Sequence, residues 1–139
     1  MMSKLKLSSN SKRKTVRKNE IELNLRKLKS ELKKTELVAV SKYSPVEDVE
    51  MAYAFGQLDF GENRVPDLKD KSDYFQQKNL SKVRWHFVGH LQTNKVRDLL
   101  KTPNLWAIHS VDSLRLLEEL IKRESDFKGS ELKLFFQVN

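Results

Sequence analysis

From Glu36 onward, short apolar runs alternate with segments whose apolar residues recur every three or four positions. Glu36-Leu-Val-Ala-Val-Ser41 is a β-rich run, and Ser44-Pro45-Val46-Glu47 after it reads as a capping box with proline at the first helical position. Val49, Ala52 and Tyr53 share one face of the predicted helix, and Gly56 is its expected stop. Leu58-Asp-Phe60 is the second strand, followed by a helix carrying Val65, Leu68 and Phe75, with Pro66 acceptable only near its start. Arg84-Trp-His-Phe-Val88 is the third strand. Val96, Leu99 and Leu100 mark the next helix, which Pro103 ends. Leu105-Trp-Ala-Ile108 is the fourth strand, Leu114, Leu117, Leu120 and Ile121 the apolar face of the helix after it, and Leu132–Val138 the fifth strand. This alternation predicts parallel βαβ units, arranged as a barrel or a doubly wound sheet.

Ahead of the alternating body, Ile21, Leu25, Leu28 and Leu32 form one apolar stripe, which predicts a helix over 20–34 docked on the body. Residues 1–19 contain no acid and are read as a basic, disordered leader. Charge separates the two regions. Residues 1–34 hold twelve Lys/Arg and three Glu, whereas residues 35–139 hold fifteen basic and sixteen acidic side chains. The formal charge of +8 therefore belongs to the front end, and a nucleic-acid role for the whole domain is disfavoured. A contact tail through Lys12, Arg13 and Lys14 is the remaining form of that idea, but no aromatic residue interleaves the run to stack on bases. A cytoplasmic location is the default expectation, with a mitochondrial or plastid address left open by the basic leader.

Composition excludes several chemistries. The absence of cysteine removes disulfides, thiolate metal sites and cysteine nucleophiles. No apolar run approaches the ~18 residues of a membrane span. Neither a GxGxxG nor a Walker loop occurs. His86 and His90 have zincin spacing, but on a strand they stand roughly 13 Å apart, so a shared metal is not expected. Asp48, Glu50, Asp59 and Glu62 show no spacing that selects an acid–base pair, and Trp85 and Trp106 are read as packing residues.

In a parallel α/β fold the polar residues that end the strands gather where ligands bind. Here these are Lys42, Asn63, His90, Ser110 and Asn139. Strand ends are also polar simply because loops are wet. Lys42 is distinguished by its Val-Ala-Val run, which is expected to hold the amine near an apolar interior and, by desolvation, make it a carbonyl nucleophile.

Five ordered segments carry a resemblance: Leu37-Val-Ala-Val-Ser-Lys42, Phe60-Gly-Glu-Asn-Arg-Val65, Trp85-His-Phe-Val-Gly-His-Leu-Gln-Thr-Asn-Lys95, Ile108-His-Ser-Val-Asp-Ser113 and Gln137-Val-Asn139. Together, from about residue 20 to the end, they resemble the pyridoxal 5′-phosphate homeostasis protein family, stand-alone relatives of the alanine racemase N-terminal barrel. The resemblance implies a (β/α)8 TIM-type barrel with Lys42 as the Schiff-base lysine for pyridoxal 5′-phosphate. It also implies Asn63 beside the cofactor's ring, with Ser110 a weaker candidate. The function it implies is a carrier and buffer of the cofactor in vitamin B6 balance, without an established reaction, serving PLP-dependent apoenzymes. A racemase-like enzyme is the alternative. That chemistry needs a second base opposite the lysine, and Tyr-Ser-Pro after Lys42 is unlike the racemase motif.

Pro66 departs from the family's usual glutamine, and the Lys-rich front end is longer than the resemblance explains. The third departure is length. Such barrels usually need ~250 residues, and this chain stops after the fifth strand. Strands one and five are then expected to have unpaired edges, and the phosphate site after strands seven and eight is not encoded. The expectations that follow are a non-functional fragment, or a half barrel completed by a second copy or a separately encoded complement.

Overall fold

The computed structural model describes residues 9–138. The first eight residues of the basic leader, and Asn139 with its expected place at a strand end, lie outside the described residues. A long helix α1 (Ser9–Glu31) leads into the alternating body: β1 (Ala39–Val40), α2 (Val46–Ala54), β2 (Asp59–Glu62), α3 (Val65–Gln77), β3 (Arg84–Phe87), α4 (Val96–Leu100), β4 (Leu105–Val111), α5 (Leu114–Lys122) and β5 (Lys133–Phe136). The five strands form one parallel sheet in the order β1-β2-β3-β4-β5. Sequential order decides between the two architectures that the pattern allows. A doubly wound sheet must reverse its winding, whereas strands added always on the same side, by right-handed crossovers, keep every helix on one face and curl the sheet as a barrel does.

The helix-covered face carries the core. Phe60, Trp85, Phe87, Ile108 and Val111 from the strands meet Val49, Leu68, Phe75, Leu99 and Leu116 from the helices. Trp85 is fully buried, 5.2 Å from the Phe75 ring and 6.0 Å from the Phe60 ring, so a single indole joins β2, β3 and α3. Gly56 ends α2 with φ +91°, the conformation that favours glycine. Ser113 caps α5 by accepting the Leu116 N–H at 3.2 Å.

Several expectations change. The helix predicted over 20–34 begins eleven residues earlier and ends at Glu31, so residues 9–19 are helical and not a disordered leader. That stretch contains no glycine or proline to stop a helix, and Arg17 ties it to Glu20 and to Asp48 of α2 at 3.2 and 3.0 Å. The capping box at Ser44 does not form; Pro45 is the N-cap and no side chain caps α2. α5 buries Leu116 and Leu120 while Leu114 and Ile121 face solvent, a rotation of the expected stripe. Trp106 is not a core residue, because a β-bulge beside it leaves it on the face opposite the helices. Among the described residues no helix is long and apolar enough to cross a membrane.

Replacing Trp85 with alanine should remove about 3–5 kcal/mol of stability, the usual cost of emptying a large aromatic site in a packed core. Urea unfolding followed by far-UV circular dichroism measures it.

Candidate functional site

Lys42 leaves β1 in a tight turn. The Ser41 N–H donates to the Gly61 carbonyl at 2.9 Å, and the Ser44 N–H donates back to the Ser41 carbonyl at 3.0 Å. Tyr43 closes this turn at φ +63°, a conformation uncommon for a side chain of its size. Lys42 itself is exposed, which corrects the expectation of an amine held near an apolar interior. The physical reason is position: Lys42 lies past the end of β1 in a turn, and Val40 on the same strand is already 52% exposed.

Beneath the turn lies a buried polar group that the sequence reading passed over. Ser41 Oγ donates to Glu62 Oε1 at 2.6 Å, and the Lys71 ammonium donates both to that carboxylate and, at 2.7 Å, to the Ser41 carbonyl. Glu62 is fully buried and its second oxygen, Oε2, has no hydrogen-bond partner. Lys71 was hard to single out among so many lysines. The available signal is its register: with Leu68 and Phe75 it falls on the inward side of α3.

Asn63, one residue beyond β2, is half-buried, and its Oδ1 is buried without a partner. It borders a cleft of about 360 Å3 with Arg64, Phe87, His90, Gln92 and Lys95, a volume near the lower end for small-molecule sites. Gly89 packs directly against the Asn63 backbone, since a Cβ there would stand 2.2 Å from the Asn63 carbonyl oxygen. Ser110 stands one residue before the C-terminal end of β4, which runs past the expected Ile108. It lies within β4, buried, with its hydroxyl donated to the Gly89 carbonyl. Its role in this structure is to brace Gly89. His90 is exposed, its Nδ1 3.8 Å from Asp112. Lys42 is not in the wall of this cleft; the two candidates occupy neighbouring strand ends without sharing one cavity.

The face turned away from the helices holds a second polar array, also missed. Asp59 and Arg84 are register partners on β2 and β3 and are joined at 2.8 Å; His86 Nε2 also meets Asp59 at 2.8 Å, and His86 Nδ1 meets His109 Nε2 at 2.9 Å. The His109 ring stacks on Phe135 at 4.7 Å, and Trp106 lies between Arg84 and Lys133 at 5.3 and 4.5 Å. Burial pushes the Asp59 carboxyl up, but hydrogen bonds from Arg84 and His86 outweigh it and hold the group below the usual carboxylate range. Burial, with His86 adding to it, lowers His109. On β2 and β3 strand alternation was the signal, since Asp59, Arg84 and His86 are opposite in parity to Phe60, Trp85 and Phe87; His109 shares parity with Leu105, Ala107 and Val111 and is turned by the register shifts of β4. Among the described residues no three His, Asp or Glu side chains gather as metal ligands.

No family model matches the sequence. Curated relatives do. The pyridoxal phosphate homeostasis protein of Homo sapiens is 41% identical over 106 residues, covering 74% of this chain and 38% of the relative. The Caenorhabditis elegans protein of that name is 37% identical over 109 residues (77% and 44%), and that of Pasteurella multocida 38% over 103 residues (74% and 42%). Among solved structures, PipY of Synechococcus elongatus, with PLP bound, superposes with a TM-score of 0.71 at 38% identity, covering 76% of this chain and 49% of that one. The chain thus spans less than half the length of these curated relatives and about half of the PipY chain.

Two outcomes follow from the geometry. Gly89→Ala should displace the Asn63 backbone, seen as large amide shifts at Asn63 and Ser110 in an NMR spectrum. Acidification should destabilise the fold. Because His109 is lowered in the folded chain, the unfolded chain takes up that proton first, so stability present above the ordinary histidine range is lost as pH falls through it. Asp59, lowered as well, loses its contribution only at more acid pH. The melting temperature should therefore fall between about pH 7.5 and about pH 5.5, and fall less in His109→Gln.

Proposed function

The chain belongs to the pyridoxal phosphate homeostasis protein family, and from that footing we propose that it binds pyridoxal 5′-phosphate through Lys42 as a carrier, without turning over a substrate. The observation that carries this reading is the placement of Lys42: an accessible primary amine, on a braced turn, at the ligand-binding end of a singly wound parallel sheet.

The residues present suit such a group. When bound, the cofactor supplies an aldehyde that condenses reversibly with a primary amine. Lys42 provides that amine in the open, where a ligand reaches it without displacing a core side chain. Asn63 supplies a buried carbonyl oxygen lacking a donor at the adjacent strand end, suited to a ligand hydroxyl or ring N–H. Arg64 and Lys95 add positive charge to the same edge, favourable to an anionic ligand. Binding without catalysis is supported by the curated relatives, which are named homeostasis proteins and not for a reaction.

Incubation with pyridoxal phosphate below stoichiometry, borohydride reduction and peptide mapping tests the reading. Label should concentrate on Lys42 and vanish from that peptide in Lys42→Ala; label scattered in proportion to lysine exposure would falsify it. Asn63→Ala should weaken binding about fivefold, the loss of one neutral hydrogen bond of about 1 kcal/mol.

A further inference from the structure

We propose that Lys71 is a positioning residue for Lys42, acting through Glu62 and the Ser41 carbonyl; the inference rests on the reading of Lys42 as the cofactor's amine. β1 is only two residues long and, among the described residues, pairs only with β2, through Ala39–Phe60 and Val40–Gly61. A ladder so short fixes the direction of the chain beyond it poorly. At the start of β1 the buried Gln57 amide compensates, donating to the Leu37 and Asp59 carbonyls at 2.7 Å each. At its end the compensation comes from Lys71.

Stability alone does not account for this lysine. A lysine 8% exposed beside a glutamate wholly withdrawn from water carries a desolvation cost that apolar residues of similar volume would avoid, and Glu62 Oε2 is left without a partner in addition. What the ammonium achieves is geometric. The Ser41 carbonyl belongs to the peptide group that joins Ser41 to Lys42, and it accepts from Lys71 Nζ on one side and from the Ser44 N–H on the other. The Ser41 hydroxyl is held by the same carboxylate that Lys71 contacts. With that peptide plane fixed by α3 and β2, the direction in which the Lys42 side chain leaves the backbone is fixed too. The left-handed Tyr43 then survives because both ends of its turn are held.

The test compares wild type with Lys71→Met, and with the charge-balanced pair Glu62→Gln, Lys71→Met, which leaves no unpaired buried carboxylate to unfold the chain. One readout is the share of borohydride-trapped pyridoxal phosphate on Lys42; the other, independent of any cofactor, is hydrogen exchange at the Ser44 amide. Both variants should label Lys42 no more than other exposed lysines, and Ser44 should exchange about tenfold faster. Because the chain has no cysteine, Lys71→Cys can be alkylated uniquely in denaturant with 2-bromoethylamine and refolded. This restores an ammonium at that position and should restore both readouts, whereas iodoacetamide, which adds a neutral amide, should not. A folded double variant with unchanged Ser44 exchange, or with undiminished labelling of Lys42, overturns the inference. Wild-type chain that does not label Lys42 selectively overturns the cofactor reading and the purpose assigned to Lys71 together, while Ser44 exchange still reports whether the tether exists.

Discussion

A strand that returns by a right-handed crossover can be laid beside its predecessor on only one side if the winding never reverses. In this chain it never does, and the consequence runs through the whole structure. Every helix falls on one face, so one set of alternate strand residues is sealed in an apolar layer around Trp85 while the other set points away from the helices. The two faces therefore obey different rules. On the covered side packing density and volume decide which residues are tolerated. On the other side charge and hydrogen bonding decide, and Asp59, Arg84, His86 and His109 line up there across three strands.

The same asymmetry explains why the polar groups near Lys42 sit at two depths. Lys42 emerges past the end of β1 and meets solvent, whereas Glu62 points towards the helices and would be a charge stranded in the core without Lys71. A single buried ion pair thus lies directly behind an accessible amine, separated from it by one peptide group. Asn63 is supported differently, by the close approach of Gly89, which Ser110 braces from β4. The ends of the first four strands are joined by these contacts into a continuous polar edge.

Much of the fold was legible in the sequence because alternation of short apolar runs with helical stripes is a local property. Val65, Leu68 and Phe75 lie on the buried face of α3 as their spacing implies, and Gly56 stops α2. The local pattern alone left the strand order open, since a barrel and a doubly wound sheet share it; the barrel implied by the five ordered segments supplied it, and the sequential order agrees. The helix over 9–19 was missed because its residues lack an apolar stripe, while its attachment comes from ion pairing with Asp48, a partner thirty-one positions away. At the end of β1, the Val-Ala-Val run implied a burial that Lys42 lacks, because exposure depends on what lies beside a strand end. The roles of Ser110, Lys71 and the second polar array depend on register between strands and helices far apart in sequence, which no spacing within one segment reveals.

Tyr43 has a consequence for how this region can vary. Its ring is almost entirely solvated and its backbone is left-handed, so a glycine there would remove a steric penalty at no loss of packing. Yet glycine would also give the unfolded chain more conformations to lose and let the folded turn sample others, loosening the segment that aims Lys42. Local comfort and directional rigidity thus pull position 43 in opposite directions, and the bulky residue found there sides with rigidity.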